Sequence, residues 1–289
     1  MKFVKLKGPL RWPPLADDDW AFGGTMDLGL KGKLAVVSGS TAGIGFAIAA
    51  ALAAEGANVV VNGRTDERVS AAVEKIRKQT GAGEVRGFAA DLGTAMGSDL
   101  FLKNVPEGDI LINNLGIFEP KPFAQISDAD WLRFFEVNVL SGVRLARAYL
   151  PAMLKKNWGR IIFISSESAQ QIPAEMIHYG MTKTAQIAVA RGLAESVAGT
   201  GVTVNSVLPG PTASEGVGTF VEQMAQQQGV SKAEMEKQFF ATGRPTSLLK
   251  RFETPEEIAA VVAFVASTQS VTINGAAVRA EGGVVRSIF

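Results

Sequence analysis

Lys33-Leu34-Ala35-Val36-Val37-Ser38-Gly39-Ser40-Thr41-Ala42-Gly43-Ile44-Gly45 is the stretch that decides the fold of this chain. A short apolar strand runs straight into a glycine turn, and an alanine-rich helix follows as far as Glu55. In that context glycines let the main chain approach a diphosphate closely, and N–H groups at the helix start face the anion. The spacing is Gly39-x3-Gly43-x-Gly45, so the turn reads as a nucleotide-phosphate cradle, with a plain β-to-α turn as the alternative. Asn58-Val59-Val60-Val61-Asn62 then supplies a second strand and closes a βαβ unit.

The residue that ends this second strand bears on cofactor choice. A carboxylate there would accept hydrogen bonds from a ribose 2′-OH and repel a 2′-phosphate. The chain has Gly63-Arg64 instead. A guanidinium can fork onto a phosphate with two hydrogen bonds, so Arg64 favours NADP(H) over NAD(H), with Arg68 placed one turn on to assist.

Further along, Val69, Val73 and Ile76 recur at helical spacing, which predicts a helix packed on the sheet. Val85–Ala89 reads as a third strand. Asp91-Leu92 lies just past it, at the sheet edge where an adenine would rest; Asp91 is equally suited to cap the next helix. Ile110-Leu111-Ile112 is apolar throughout, as a central parallel strand buried on both faces should be. Asn113-Asn114-Leu115-Gly116 follows, and Gly116 leaves room for a ribose or nicotinamide. Residues 128–153 read as one long helical segment with Asn138 inside it, a core amide or a functional one.

Ile161-Ile162-Phe163-Ile164 is another strand, followed by Ser165 and Ser166, a loop with Pro173, and His178-Tyr179-Gly180-Met181-Thr182-Lys183. If a helix starts near Tyr179, Tyr179 and Lys183 share one face, one turn apart. Free Tyr and Lys titrate near 10 and 10.4, so neither does acid–base work readily at neutral pH. A cation beside the phenol would lower its pKa and make Tyr179 a usable proton donor and acceptor. Residues 202–208 and Ala277–Ala280 complete a set of about seven strands alternating with helices, hence a doubly wound parallel α/β (Rossmann) sheet with helices on both faces in a single domain. Pro209-Gly210-Pro211-Thr212 is a rigid turn on the cofactor side. Residues from about 212 to 250 are too long for a bare connection and read as a lid. Thr254-Pro255-Glu256-Glu257 has the cap and first-turn proline of a helix start. Residues 1–29 form a distinct extension, flexible or draped on the surface, ahead of a catalytic domain over 30–289; Met26 is an alternative natural start.

Composition narrows the chemistry. The chain has 289 residues, a net charge of +1 and 20% charged residues, so no bulk attraction to nucleic acid or membrane is implied. With no cysteine, disulfides, thiolate nucleophiles and cysteine-ligated metals are excluded. With one histidine, a Ser-His-Asp hydrolase would depend wholly on His178.

Taken in order, these motifs resemble the short-chain dehydrogenase/reductase family over nearly the whole chain, and within it enzymes similar to the 3-oxoacyl-carrier-protein reductases. The family's glycine motif matches Ser38 to Gly45, its Asn-Asn-Ala-Gly matches Asn113 to Gly116, and its catalytic Asn matches Asn138. Its serine matches Ser166, thirteen residues before Tyr179. Its Tyr-x3-Lys matches Tyr179 and Lys183, and its Pro-Gly matches Pro209-Gly210. Departures are Ser38 for Thr, Leu115 for Ala, Met181-Thr182 for a small pair, and Glu281 for Asp; none removes a reacting group.

The resemblance implies hydride transfer between NADP(H) and a ketone, aldehyde or alcohol. Tyr179 would exchange the proton, Lys183 would acidify it and bond the nicotinamide ribose, Ser166 would bond the substrate oxygen, and Asn138 would hold a relay water. No metal is called for. Cofactor contacts are expected from Gly39, Ser40, Thr41, Gly43, Ile44, Gly45, Arg64, Asp91, Leu92, Asn114, Gly116, Tyr179, Lys183, Pro209, Gly210 and Thr212. The substrate pocket is expected between residues 118–123, residues 169–177 and the lid, with Phe123, Ile172 and Met176 as apolar walls and Gln170 and Gln171 as amides. His178 is expected in a loop or substrate-contact role. A cytoplasmic homotetramer or homodimer acting on a small molecule, without nucleic acid or membrane, is the expected setting. Two rivals are an NADP(H)-binding sensor without turnover and a lyase or dehydratase using the same phenol.

Overall fold

The computed structural model describes residues 26–81 and 84–288; the expected extension up to residue 25 lies outside them. Residues 26–29 lie against the domain: the Leu28 carbonyl accepts from Thr268 N at 3.0 Å, and the Leu28 side chain packs on the core.

The apolar runs become strands β1 (Leu34–Val37), β2 (Asn58–Gly63), β3 (Val85–Ala89), β4 (Ile110–Asn113), β5 (Gly159–Ile164), β6 (Val202–Pro209) and β7 (Ala277–Ala280). They form one seven-stranded sheet in the order β3-β2-β1-β4-β5-β6-β7. Every pairing is parallel. The order reverses between β1 and β4, which opens a crevice at their carboxyl ends. Strand alternation feeds two cores. Ala35, Val37, Val59 and Val61 face one side, against α1 (Gly43–Ala54), α2 (Asp66–Thr80) and α9 (Pro255–Ala266). Val36, Val60, Leu111 and Phe163 face the other, against α3 (Ala95–Asn104), α5 (Ser141–Lys156) and α6 (Ile177–Ser196). Burial on both faces is why these strands read as unbroken apolar runs.

The single helix expected over residues 128–153 is instead α4 (Asp128–Phe135), a π-turn at Glu136–Leu140 and then α5. The Ser141 N–H reaches back to the Glu136 carbonyl, which accommodates one extra residue in the turn. Capping follows the sequence signals at α9, where Thr254 and Glu257 form a capping box behind Pro255. Asp91 does not cap α3: Thr94 does, and the Asp91 carboxylate accepts instead from Gly93 N at 3.0 Å. The stretch expected as a lid consists of α7 (Glu215–Gln228), α8 (Lys232–Gln238) and a π-turn at Phe239–Gly243. It has a small core of its own in Val221, Ala225 and Met235, with Phe252 packed against it.

Candidate active site

The glycine turn is held open by main-chain geometry and by two asparagines. Gly39 has φ 60° and Gly43 φ 56°, a region that L side chains avoid. Asn114 Nδ2 donates to the Ser38 and Gly39 carbonyls at 3.0 and 2.9 Å. The Ser38 hydroxyl accepts from Asn114 N and Leu115 N, so serine does at this position what the hydroxyl is needed for. Asn62, read from sequence only as a strand residue, accepts from Gly39 N at 3.1 Å and ties the turn to β2. A β-carbon on Gly45 would collide with the Gly39 carbonyl and the Asn114 amide. The start of α1 has no side-chain cap and no acidic residue in its first turn, whereas α2, α3, α4 and α9 are all capped by Ser or Thr. Such an N-terminus leaves N–H groups for an external anion. These features fit a dinucleotide diphosphate.

Arg64 is exposed directly after β2. A cavity of about 300 Å³ beside the glycine turn is walled by Thr41, Gly43, Phe46, Arg68 and Lys75. Asp91 is exposed, while Leu92 is 1% exposed with its side chain in the second core, leaving only its main chain for a cofactor.

A larger cavity of about 460 Å³ opens at the crevice. Its walls bring together Ile44, Asn114, Gly116, Ser166, Tyr179, Lys183, Pro209, Gly210 and Thr212 from the expected set. Apolar walls come from Phe118, Met176, Met224, Phe239 and Phe252. Phe123 and Ile172, expected as walls, are 65% and 46% exposed instead. Gln170 and Gln171 also lie outside the lining; they follow the 3-10 turn at Glu167–Ala169, with Gln170 exposed and Gln171 half-buried.

Helix α6 starts at Ile177, so Tyr179 and Lys183 do share a face. Lys183 is 4% exposed and its Nζ lies 5.6 Å from the centre of the Tyr179 ring. It donates to the Ile164 carbonyl at 2.9 Å and to Gln186 Oε1 at 3.3 Å. Burial lowers its pKa to about 8. Burial pushes the phenol above its ordinary value and a Ser166 hydrogen bond pulls it down, while Glu167 raises it and Arg244 lowers it. The ammonium is turned toward Ile164.

The two serines divide their work. The Ser165 hydroxyl donates to the Lys183 carbonyl at 2.8 Å. The Ser166 hydroxyl faces the phenol, donates to Glu167 Oε2 at 2.7 Å and accepts from Ser168 N at 3.1 Å. Asn138 is fully buried in the π-turn. Its side chain accepts from Ile117 N at 2.8 Å and donates to Ile117 O and Thr182 Oγ1, each at 3.0 Å. Its carbonyl accepts from Gln186 Nε2 at 2.6 Å, which links it to Lys183 through one side chain.

His178 is 0% exposed, with Phe134 4.1 Å and Trp131 6.0 Å away between ring centres. Burial lowers its pKa. It is a core residue of the α4–α6 contact, in helix α6 and outside the cavity lining, not a loop or substrate residue.

At the base of the expected lid, Pro209 ends β6 and Gly210 meets Glu253. Gly210 N donates to Glu253 Oε2 at 3.0 Å. Glu253 N donates to Pro211 O at 2.9 Å, and Ala213 N to Glu253 O at 2.8 Å. Glu167 and Arg244, which the motif reading passed over, line the same cavity as Tyr179.

No helix among the described residues is long and apolar enough to cross a membrane. No group of His, Asp or Glu with metal-ligating geometry occurs among the described residues.

Comparison with known proteins agrees with this geometry. Residues 33–225 match the family model described as short chain dehydrogenase. An uncharacterized oxidoreductase, YvaG of Bacillus subtilis, is 49% identical over 264 residues, covering 91% of this chain and all of that protein. D-beta-hydroxybutyrate dehydrogenase of Cupriavidus necator is 33% identical, covering 89% of this chain and 99% of its own. The crystal structure of L-sorbose reductase from Gluconobacter frateurii, complexed with NADPH and L-sorbose, superposes with a TM-score of 0.86 at 30% identity, covering 91% of this chain and 100% of that one. With the glycine cradle, the Ser166–Tyr179–Lys183 cluster and these likenesses in agreement, the chain belongs to the short-chain dehydrogenase/reductase family and is an NAD(P)-dependent oxidoreductase.

Proposed function

We propose that this protein interconverts a ketone or aldehyde and the corresponding alcohol, using NADP(H) in preference to NAD(H), with Tyr179 as general acid and base. The observation that carries the reading is the convergence of the Ser166 hydroxyl, the Tyr179 phenol and the buried Lys183 on one wall of the 460 Å³ cavity, next to Gly116.

The residues of the glycine turn, with Asn114, Gly116 and the Pro209–Thr212 turn, would hold the dinucleotide. When bound, the nicotinamide supplies a hydride to a carbonyl carbon or accepts one from an alcohol. In reduction, Tyr179 gives its proton to the carbonyl oxygen. Burial keeps that phenol protonated, which is the form an acid requires. Ser166 donates to the same oxygen and steadies the developing negative charge among largely apolar walls. Lys183, protonated below about pH 8, stabilises the phenolate left behind. Asn138 and Gln186 fix Lys183 from behind.

Arg64 after β2, with Arg68 and Lys75 in the neighbouring cavity, favours a 2′-phosphate. The NADPH named with the L-sorbose reductase structure supports the same choice. The walls of Phe118, Met176, Met224, Phe239 and Phe252 around a few polar groups suit a medium-sized, partly apolar carbonyl compound. A cytoplasmic location and a homodimer or homotetramer accompany this reading; light scattering coupled to gel filtration tests the assembly. The function is tested by a panel of carbonyls with NADPH and of alcohols with NADP+, followed by the NADPH absorbance. Turnover without absorbance change would establish a lyase or dehydratase, and cofactor binding without turnover a sensor.

A further inference from the structure

Arg244 and Glu167 are separated by 77 positions and meet at the reacting end of the cavity. Arg244 directly follows the π-turn at Phe239–Gly243 within the lid, and Glu167 directly follows Ser166. Arg244 Nε donates to Glu167 Oε1 at 2.7 Å. The other carboxylate oxygen, Oε2, accepts the Ser166 hydroxyl at 2.7 Å and the Ser168 hydroxyl at 2.5 Å. Side-chain exposure is 4% for Glu167 and 11% for Arg244. A carboxylate so deeply buried is tolerated only when paired and hydrogen-bonded, and here both oxygens are engaged.

We propose that Glu167 and Arg244 are positioning residues of the reaction: their ion pair docks the lid onto the loop bearing Ser166, and Glu167 keeps the Ser166 hydroxyl aligned between turnovers, releasing it to hydrogen-bond the incoming substrate oxygen. This rests on the reading above, in which Ser166 and Tyr179 act on a carbonyl oxygen. The exchange is of hydrogen bonds only; the Ser166 proton stays on its own oxygen. When Ser166 turns to substrate, Oε2 retains Ser168 and Oε1 retains Arg244, so the carboxylate is never stranded. Because Arg244 belongs to the lid, Glu167 is neutralised only while the lid is docked, and the active site has its working charge balance only in that state.

The pair also sets the field at Tyr179 with opposing signs: Glu167 raises the proton affinity of the phenol and Arg244 lowers it. The other charged groups nearby are fixed. Lys183 lies one turn on in α6. Glu175, from the turn at Ala174–Met176, stands 3.8 Å from Arg244 and is 55% exposed. Glu253 lies beneath Gly210, within the field of Glu167, with Glu281 and Glu257 beyond it. Phe118 covers the ring edge-on and is uncharged, and His178 is turned into the Phe134 contact.

The test is a set of full-length variants, Glu167→Gln, Arg244→Met, Arg244→Lys and the double Glu167→Gln/Arg244→Met, with circular dichroism checking the fold. The pH profile of kcat/KM is expected to move to higher pH in Arg244→Met and to lower pH in Glu167→Gln, each by about half a unit or more, and to return to the wild-type position in the double variant. A purely structural role would lower activity without moving the profile in opposite directions. Independently of turnover, backbone hydrogen exchange across α7 and α8 is expected to quicken by about tenfold in Arg244→Met and to be largely restored in Arg244→Lys. Profiles that coincide or move together, or lid exchange that is unchanged, overturn the proposal. A wild-type chain that turns over no carbonyl or alcohol overturns the oxidoreductase chemistry and this role together. A wild-type chain that turns over while the variant profiles stay put overturns this role alone.

Discussion

The Ser165 hydroxyl donates to the main-chain carbonyl of Lys183 at 2.8 Å, stitching the end of β5 to the helix that carries the reacting phenol. Ser166, one residue on, turns the other way, toward Tyr179. The two serines should therefore respond differently to removal. Ser165→Ala is expected to cost about 1 kcal/mol of stability in urea unfolding, because it removes a buried hydrogen bond between the end of β5 and α6, and to change kcat only a few-fold. Ser166→Ala is expected to lower kcat by about a hundredfold or more with NADPH affinity retained. Equal losses of kcat would contradict this division.

Tyr179→Phe is expected to lose at least about a hundredfold in kcat while still binding NADPH. Fluorescence titration of the cofactor, beside steady-state rates, separates the two effects. Near-normal turnover would remove Tyr179 from the proton-transfer role.

The pH dependence of reduction should follow the coupled Tyr179–Lys183 pair, in which a charge that shifts the phenol shifts the visible limb as well. Burial holds its pKa at about 8, so the ammonium is present on the acid side of that value and lost above it. Ketone reduction by NADPH is expected to hold a plateau up to about pH 8 and then fall. Lys183→Met should remove that limb along with most of the activity. A rate that climbs steadily to pH 9.5 would show that the ammonium is not required.

Arg64→Ala is expected to raise the NADPH KM by about ten- to a hundredfold, the worth of one forked charge-assisted contact. The NADH KM should be nearly unchanged. The ratio of kcat/KM for the two cofactors, before and after substitution, reads this directly; a wild-type preference for NADH would end the argument from Arg64.

Glu253 should make stability fall toward neutral pH. Burial, opposed by the Gly210 N–H and reinforced by Glu281, Glu257 and Glu167, raises its pKa to about 7 from 4.5. The unfolded chain gives up this proton near pH 4.5, the folded chain only near pH 7. The proton thus contributes stability that is complete below about 4.5 and lost as pH rises through 7. Glu253→Gln keeps an acceptor for Gly210 and removes the titration. Relative to wild type it should gain about 1–3 kcal/mol in going from pH 4.5 to pH 8, measured by urea midpoints.

The sheet was legible because parallel strands buried on both faces, such as Ile110–Asn113, leave continuous apolar runs between glycine and polar turns. The relation of Tyr179 to Lys183 was legible as far as the backbone goes: spacing places two side chains on one face of a helix. It does not aim the end of a flexible four-carbon side chain, and Lys183 found the Ile164 carbonyl. His178 illustrates the same limit from the other side. It neighbours Tyr179 in sequence, but one helical step carries it round to Phe134 and Trp131.

Other features left no local trace. The π-turn at Glu136–Leu140 adds a single residue to an apolar helical pattern, and periodicity does not register so small a slip. Asn62 had the look of a strand end, and only the return of the chain at Gly39 gives its amide a purpose. Glu167 and Arg244 are each ordinary residues in sequence; their meaning comes from a pairing across 77 positions that only the folded lid creates. A carboxylate directly after a reacting serine was the one available hint.

The hinge of the lid is fastened through main-chain atoms, Glu253 N to Pro211 O and Ala213 N to Glu253 O. Such bonds are indifferent to which side chains the flap carries. Mutation can therefore rewrite much of the flap while the hinge is inherited unaltered, provided Arg244 stays to meet Glu167. In the laboratory the corresponding experiment is to graft the flap of one relative onto this body and watch selectivity travel with it.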